Sequence, residues 1–269
     1  MSDVAICTDS SALFPAGIAE LLGVIRVPVS ITLDGEVYDS DDVDEFYELL
    51  SSGAKAATSQ PSTGDFLVAY GAAEARGAGE VLSIHLDARV SGTVAGAELA
   101  ARDAPIPVRV VDTGTVSFGV GVCVRAAAEA VAAGASAGRA AGVARRVGPR
   151  LRNVFVAAGA PRGRMGNVSG WGLLEFVDGK PQPVAACGSV QEALDAMAER
   201  IGEAFGPIRA AVGHAGAAAA SAADALAVLL ASSSRVMDVE RYRVEPAVGA
   251  HTGPLSFGAF WWPAESPAG

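Results

Sequence analysis

The chain has 269 residues, with 20 Lys and Arg against 30 Asp and Glu, and a formal net charge of -10. Hydrophobic residues make up 51% and aromatic residues 6%, with Gly 32, Pro 14 and Cys 3. This length suits two domains or one large α/β domain, since single domains usually run to about 100–150 residues. The apolar fraction excludes a disordered chain, and an acidic balance with no basic run excludes a nucleic-acid or anionic-membrane surface.

Taken in chain order, short β-rich runs alternate with helical segments through the first half, which predicts a parallel sheet wrapped by helices. Val4–Cys7 reads as a first strand, and Thr8-Asp9-Ser10-Ser11 as a polar turn before a helix starting near Pro15. Val24–Leu33 is a second extended run closed by an Asp34-Gly35 hairpin signal. Asp41–Leu50 is helical by the spacing of Val43, Phe46, Tyr47 and Leu50. Another helix starts near Gly64, and Glu80–His85 and Val108–Val111 read as buried strands.

The second half changes character after an Ala/Gly/Arg-rich stretch around 134–150. Val154–Ala157 is a strand, and Leu173–Val177 pairs with Pro183–Ala186 across Asp178-Gly179-Lys180. Ser189–Phe205 is a helix with Val190, Leu194, Met197, Ile201 and Phe205 on one face. Ile208–Val212, Val236–Val239 and Tyr242–Val244 are strands, with a helix over 216–231 inserted. The expectation is an α/β protein of two domains. Residues 1–150 form an α/β domain on a parallel sheet, and 151–269 an α+β domain with a largely antiparallel sheet.

Cys7, Cys123 and Cys187 are odd in number, far apart and form no C-x-x-C. They read as reduced thiols of a cytoplasmic protein, not as a disulfide frame or zinc site. The start of the chain carries Asp3 where a signal peptide needs basic residues. The longest stretch without Asp, Glu, Lys or Arg, Pro246 to Ala264, is broken by prolines, glycines and His251, so no membrane span is expected.

Ligands of open α/β sheets bind beyond the carboxyl ends of the strands, near helix N-termini. The turns there carry Thr8-Asp9-Ser10-Ser11, Ser91-Gly92-Thr93 and Asp112-Thr113-Gly114, and Thr58-Ser59-Gln60-Pro61-Ser62 precedes a helix. Neutral hydroxyls beside helix N-termini suit a carboxylate or phosphate, but Ser, Thr and Asp also cap helices, so both readings stay open. His214 and His251 stand in glycine-rich loops, where His251 could add a donor to an anion site. The acidic run Asp39, Asp41, Asp42, Asp44 and Glu45 reads as a solvated helix N-terminus ahead of a cation site. Pro161 to Gly166, with Arg162 and Arg164, is the compact basic turn. G-x-G-x-x-G, G-x-x-x-x-G-K-[ST] and G-x-S-x-G are all missing. A nucleophile at Ser10 or Ser91 would need a base that the sequence does not identify.

In order along the chain, Thr8-Asp9-Ser10-Ser11, Thr58-Ser59-Gln60-Pro61-Ser62, Ser91-Gly92-Thr93, Gly163-Arg164-Met165 and Gly249-Ala250-His251-Thr252-Gly253-Pro254 form a set. The set resembles the DegV family of bacterial fatty-acid-binding proteins over residues 5–262. The resemblance implies a non-enzymatic carrier with a long acyl chain in a tunnel between two domains. Its carboxylate would be held by Thr58, Ser91 and His251, with Ser10, Ser59, Gly92, Thr93, Arg164 and Thr252 as further site or partner contacts. It also implies an ATP-dependent fatty acid kinase as partner, in phospholipid synthesis, with no metal and no cofactor beyond the bound fatty acid. The chain departs from the family pattern at Asp87-Ala88, Asp112-Thr113 and Cys187-Gly188, and at Met165-Gly166-Asn167 followed by Trp171. Phe257, Phe260, Trp261 and Trp262 are candidates both for a tunnel wall and for a core. An acyl or phosphate ester hydrolase or transferase, and a fatty-acid-responsive sensor, are the alternatives.

Overall fold

In the computed structural model, which describes residues 3–160 and 170–264, apolar alternation and helical spacing become thirteen strands and nine α-helices. In chain order they begin β1 (Val4–Asp9), α1 (Ile18–Leu21), β2 (Ile25–Val27), β3 (Ser30–Leu33), β4 (Glu36–Val37), α2 (Val43–Ser51), β5 (Ala56–Ser59) and α3 (Thr63–Ala75). Then come β6 (Glu80–His85), α4 (Thr93–Ala101), β7 (Val108–Asp112), α5 (Phe118–Ala132) and α6 (Ala137–Val147). The remainder is β8 (Arg152–Val156), β9 (Leu173–Val177), β10 (Lys180–Ala185), α7 (Val190–Gly202), β11 (Ile208–His214), α8 (Ala220–Ala231), β12 (Val236–Arg243), α9 (Pro246–Thr252) and β13 (Phe257–Pro263).

The chain divides into two units, Met1–Ser30 with Ser59–Arg150, and Ile31–Thr58 with Leu151–Gly269. Residues 31–58, which composition places in a first domain of 1–150, therefore pack with the second unit. The physical cause starts at Pro28. Proline has no N–H to continue a ladder, and the extended run over 24–33 is two strands, β2 in one unit and β3 largely in the other.

The first unit holds a four-stranded sheet in the order β2-β1-β6-β7, all pairs parallel. Its core sets Cys7, Val27 and Val81 against Phe66, Tyr70 and the alanines Ala69, Ala73, Ala97 and Ala100 of α3 and α4. Alanine on those faces lets the two helices lie close to the sheet. Helix α5 carries no charge before Arg125 and buries Phe118 to Val124 without a break, as expected of a helix apolar all round.

The second unit holds a six-stranded sheet in the order β10-β9-β8-β13-β11-β12 and a three-stranded sheet in the order β4-β3-β5. In the larger sheet β11 and β12 are parallel, bridged by α8, and the other pairs are antiparallel. Helices α7 and α8 cover one face, where Leu194, Met197, Ile201, Leu226 and Leu230 meet Val154, Leu173, Val212, Phe257 and Trp261. Thus Phe257 and Trp261 belong to the core.

The sequence breaks 236–244 into two strands at Glu240-Arg241, but β12 runs through them because both pair with Ala211 and Val212. Helix α7 ends at Gly202, so Phe205 leaves its apolar face and is fully exposed. Helix α9 and strand β13 lie in the stretch from Pro246 to Ala264, for which the sequence reading names no helix or strand.

Leu173 is fully buried at the centre of the second unit's core. Leu173→Ala is expected to lower the stability of the chain by about 2–5 kcal/mol. Denaturant unfolding checks this, and an unchanged midpoint would contradict it.

Candidate functional site

Thr58 and His251 meet inside the second unit. Thr58 sits near the end of β5, and its Oγ1 is 2.9 Å from Nε2 of His251, the two sharing a partly buried hydrogen bond. His251 stands in the last turn of α9, so its placement in a loop is corrected. Two residues explain that helix. Pro246 opens it, where a proline's fixed φ suits the first turn. Gly253 closes it at φ +84°, and a Cβ there would lie 2.5 Å from Ala160 N and Gly159 C. Glycine is required by both the conformation and the space.

Beyond Gly253 the chain is stitched into the sheet's end. Ala158 O accepts from Leu255 N at 3.3 Å, Pro254 O accepts from Gly216 N at 2.9 Å, and Ser256 O accepts from Ala215 N at 2.9 Å. Thr252 Oγ1 accepts from the Ser256 hydroxyl at 2.9 Å, so its role in view is to hold this loop. The same loop walls an apolar cavity of about 220 Å³, lined by Trp171, Leu194, Ala219, Ala222, Leu255 and Phe257 among others. Alanines on α8 leave the space that larger side chains would fill.

Ser10, Ser59, Ser91, Gly92 and Thr93 lie in the first unit. Ser91 Oγ is 2.8 Å from Thr93 Oγ1 and accepts from Thr93 N at 3.3 Å, a local arrangement at the start of α4. Gly92 lies against the Gln60 side chain, into which a Cβ would run. The TSQPS and SGT motifs therefore touch at Gln60 and Gly92. Ser59 ends β5 with an exposed side chain. Ser10 Oγ accepts from Val29 N at 2.9 Å, and its own N–H donates to Val27 O at 2.9 Å, tying the turn to the end of β2. Arg164 lies outside the described residues. In the acidic run, Asp42 caps α2 by accepting from Asp44 N and Glu45 N, and among the described residues no cluster is placed to hold a metal ion.

The reading from sequence passed over His85. It is fully buried in β6, and its Nδ1 lies 2.8 Å from Asp9 Oδ2 while its Nε2 lies 2.7 Å from Ser83 Oγ. Ser83 Oγ is in turn 3.0 Å from the Tyr70 hydroxyl, and Asp9 Oδ1 accepts from Ser11 N at 3.0 Å and from the Ser11 hydroxyl. The parallel register that sets Thr8 beside Ile84 brings Asp9 and His85 together. Polar residues at alternate places in an otherwise apolar strand, Ser83 and His85, were the available signal. Burial by itself would raise the Asp9 carboxyl, but the hydrogen bond and charge of His85 and the two bonds from Ser11 outweigh it and hold it below the ordinary value. Nearby, burial pushes the Cys7 thiol up to about 12, so it stays neutral and unreactive. His214, at the end of β11 opposite Arg243, is pushed down to about 4 by burial, then by Arg243 and Arg241, and is neutral at pH 7.

Comparison with known proteins agrees with this arrangement of sheets. A family model described as "Uncharacterised protein, DegV family" matches residues 3–264. A DegV domain-containing protein of Streptomyces coelicolor is 31% identical over 269 residues, covering 93% of this chain and 95% of the relative. One from Mycobacterium tuberculosis is 30% identical over 273 residues, covering 95% of each. Among solved structures, a fatty-acid-binding DegV family protein from Thermus thermophilus superposes with a TM-score of 0.86 at 28% identity, covering 98% of this chain and 100% of that one. The fatty acid binding protein DegV of Bacillus subtilis, 22% identical, shares the fold with a TM-score of 0.83, covering 97% and 99%. The fold is thus that of two-unit α/β proteins with one parallel and one largely antiparallel sheet. This chain belongs to the DegV family. Among the described residues, no helix is long and apolar enough to cross a membrane.

Two expectations follow from these interactions. A carboxyl whose folded value is depressed adds its stability fully above the unfolded value, about 3.9, and loses it as pH falls through the folded value. Asp9→Asn should therefore destabilise the protein by about 3–5 kcal/mol near neutral pH, with the gap to the parent chain closing below about pH 4. Thermal unfolding of both chains across that range measures it, and a gap independent of pH would refute the reading of Asp9 as a carboxylate held by His85 and Ser11. Gly253→Ala should cost about 1–3 kcal/mol by strain and collision, seen as a lower unfolding midpoint. An unchanged midpoint would show that the loop gives way freely.

Proposed function

We propose that this chain is a carrier of long-chain fatty acids which presents their carboxylate to a separate ATP-dependent fatty acid kinase for phosphorylation and lipid synthesis. The observation that carries the reading is the Thr58–His251 pair, a hydroxyl and an imidazole 2.9 Å apart, in a unit that also contains an apolar cavity of about 220 Å³ walled by Leu255 and Phe257. A carboxylate removed from water needs hydrogen bonds to offset its desolvation, and these two groups supply them. Apolar chain buried in the same unit contributes roughly 0.8 kcal/mol per CH₂, so affinity comes from the tail and orientation from the polar end. Ser91 enters the reading through the resemblance of its Ser91-Gly92-Thr93 motif alone.

The absence of metal and cofactor from this reading follows from the same chemistry, since holding an acid calls for neither. The carrier reading is preferred to a serine hydrolase because Ser10 and Ser91 bond Val29 N and Thr93 respectively, and not a histidine. The third histidine, His85, is buried against Asp9 and Ser83. A cytoplasmic location accords with three buried free cysteines.

Native mass spectrometry of the purified chain is expected to show a co-purified acyl chain, and titration should show tight binding of C14–C18 acids. Thr58→Val and His251→Ala should each weaken binding by about tenfold or more, the loss of one buried hydrogen bond to a charged group being worth roughly 1.5–3 kcal/mol. Ser91→Ala tests the third group separately. Parent protein that neither carries nor binds such acids would sink the proposal. Unchanged affinity in the Thr58 and His251 variants would show the head-group site to be misplaced.

A further inference from the structure

Segment Ile31–Thr58 reaches α9 a second time, through Tyr47. This side chain is 2% exposed, in the middle of α2, and makes contacts that are remote in sequence. Its hydroxyl donates to Val244 O at 2.8 Å, just ahead of the first turn of α9. Its ring lies where Gly249 has no side chain, so that a Cβ at Gly249 would run into the hydroxyl and approach Cζ to 2.7 Å. Gly216, at the start of the segment leading into α8, passes 3.4 Å from Tyr47 Cβ by the same measure. The Arg243 guanidinium sits 5.6 Å from the ring centroid and pairs with Asp44 at 2.6 Å, holding α2 against the end of β12. The edge of Phe46, itself fully buried, packs on the ring from its own helix at 5.3 Å.

Gly249 lies two residues before His251 on the same short helix. Seven residues of helix have little stability of their own, so the orientation of α9 is set by what it packs against. Segment Ile31–Thr58 therefore grips α9 at both ends, Tyr47 at the entry and middle and Thr58 at the exit. We infer that Tyr47 is a positioning residue for His251: it seats α9 through Val244 and Gly249 so that the imidazole faces Thr58. Tyr47 itself touches no ligand in this scheme. The inference rests on the carboxylate site proposed above, and it assigns a function to the packing of the inserted segment.

The test uses the full chain with Tyr47→Phe, which removes only the hydroxyl, Tyr47→Leu, which removes the ring, and Gly249→Ala, which pushes from the other side. Three quantities are read for each: palmitate affinity, the imidazole NMR signals of His251 with those of His85 as a control in the other unit, and the thermal midpoint. The expected result is a shift of the His251 signals with His85 unmoved. Palmitate affinity should fall at least tenfold for Tyr47→Leu, by a smaller factor for Tyr47→Phe, and by a comparable amount for Gly249→Ala. A purely structural role would lower the midpoint while leaving the His251 signals and the affinity of the folded fraction as they were, and that result overturns the inference. A moved His251 with unchanged affinity overturns it as well. Should Tyr47→Leu fail to fold, the Tyr47→Phe and Gly249→Ala pair decides. If the parent chain does not bind palmitate, the function proposed above fails, and the His251 signals alone decide whether Tyr47 seats the imidazole.

Discussion

The hydrogen bond between Thr58 and His251 joins side chains 193 positions apart. It exists because residues 31–58 leave the first unit after β2, build a small sheet and α2 within the second, and return at Ser59. That detour delivers Thr58 to α9 and Tyr47 to Gly249. At the glycines around it a Cβ would collide with a neighbour: Gly216 with Pro254 O, Gly249 with the Tyr47 hydroxyl, and Gly253 with the backbone of Gly159 and Ala160. Close packing makes α9 a rigid mount for an imidazole, even though seven residues of helix are not stable in isolation.

Two histidines in this chain show how surroundings set the use of one side chain. His85 is enclosed with a carboxylate, a serine and a tyrosine, and every polar atom it offers goes to holding the parallel sheet together. His251 is only partly buried and shares its Nε2 with a neutral hydroxyl. The proposed acid site, in a chain of net charge -10, works against the overall field, so its attraction has to be local. In the proposed carrier that attraction is assigned to Thr58 and His251, and the apolar tail to the unit that holds the cavity lined by alanines and aromatics.

Elements with a strong local pattern were legible. The strand at Glu80–His85 matches β6 at both ends, and the helix read over Asp41–Leu50 from Val43, Phe46, Tyr47 and Leu50 appears as α2, with Phe46 and Tyr47 buried as the spacing requires. The motif Thr58-Ser59-Gln60-Pro61-Ser62 was legible as a polar lead into a helix, and Ser62 does cap α3 in a reciprocal bond with Asp65. What failed did so where a distant partner supplies the energy. The charged pair Glu240-Arg241 breaks the apolar alternation, but backbone bonds to β11 hold β12 straight through it. Helix α9 is only seven residues long, with a glycine inside it and another at its end, and it is held by Pro246, Gly253 and Tyr47. His85 gave only the weak signal of polar residues inside a buried strand.

The amino-acid sequence by itself determined the α/β class, with one parallel and one largely antiparallel sheet, and the order of the motifs, because periodicity, turn residues and caps act over a few neighbours. Only the tertiary structure decided which unit residues 31–58 join, that His251 stands on a helix against Thr58, and that Asp9 and His85 form a buried pair. Each of these depends on the packing of side chains far apart in sequence, and no local propensity encodes such contacts.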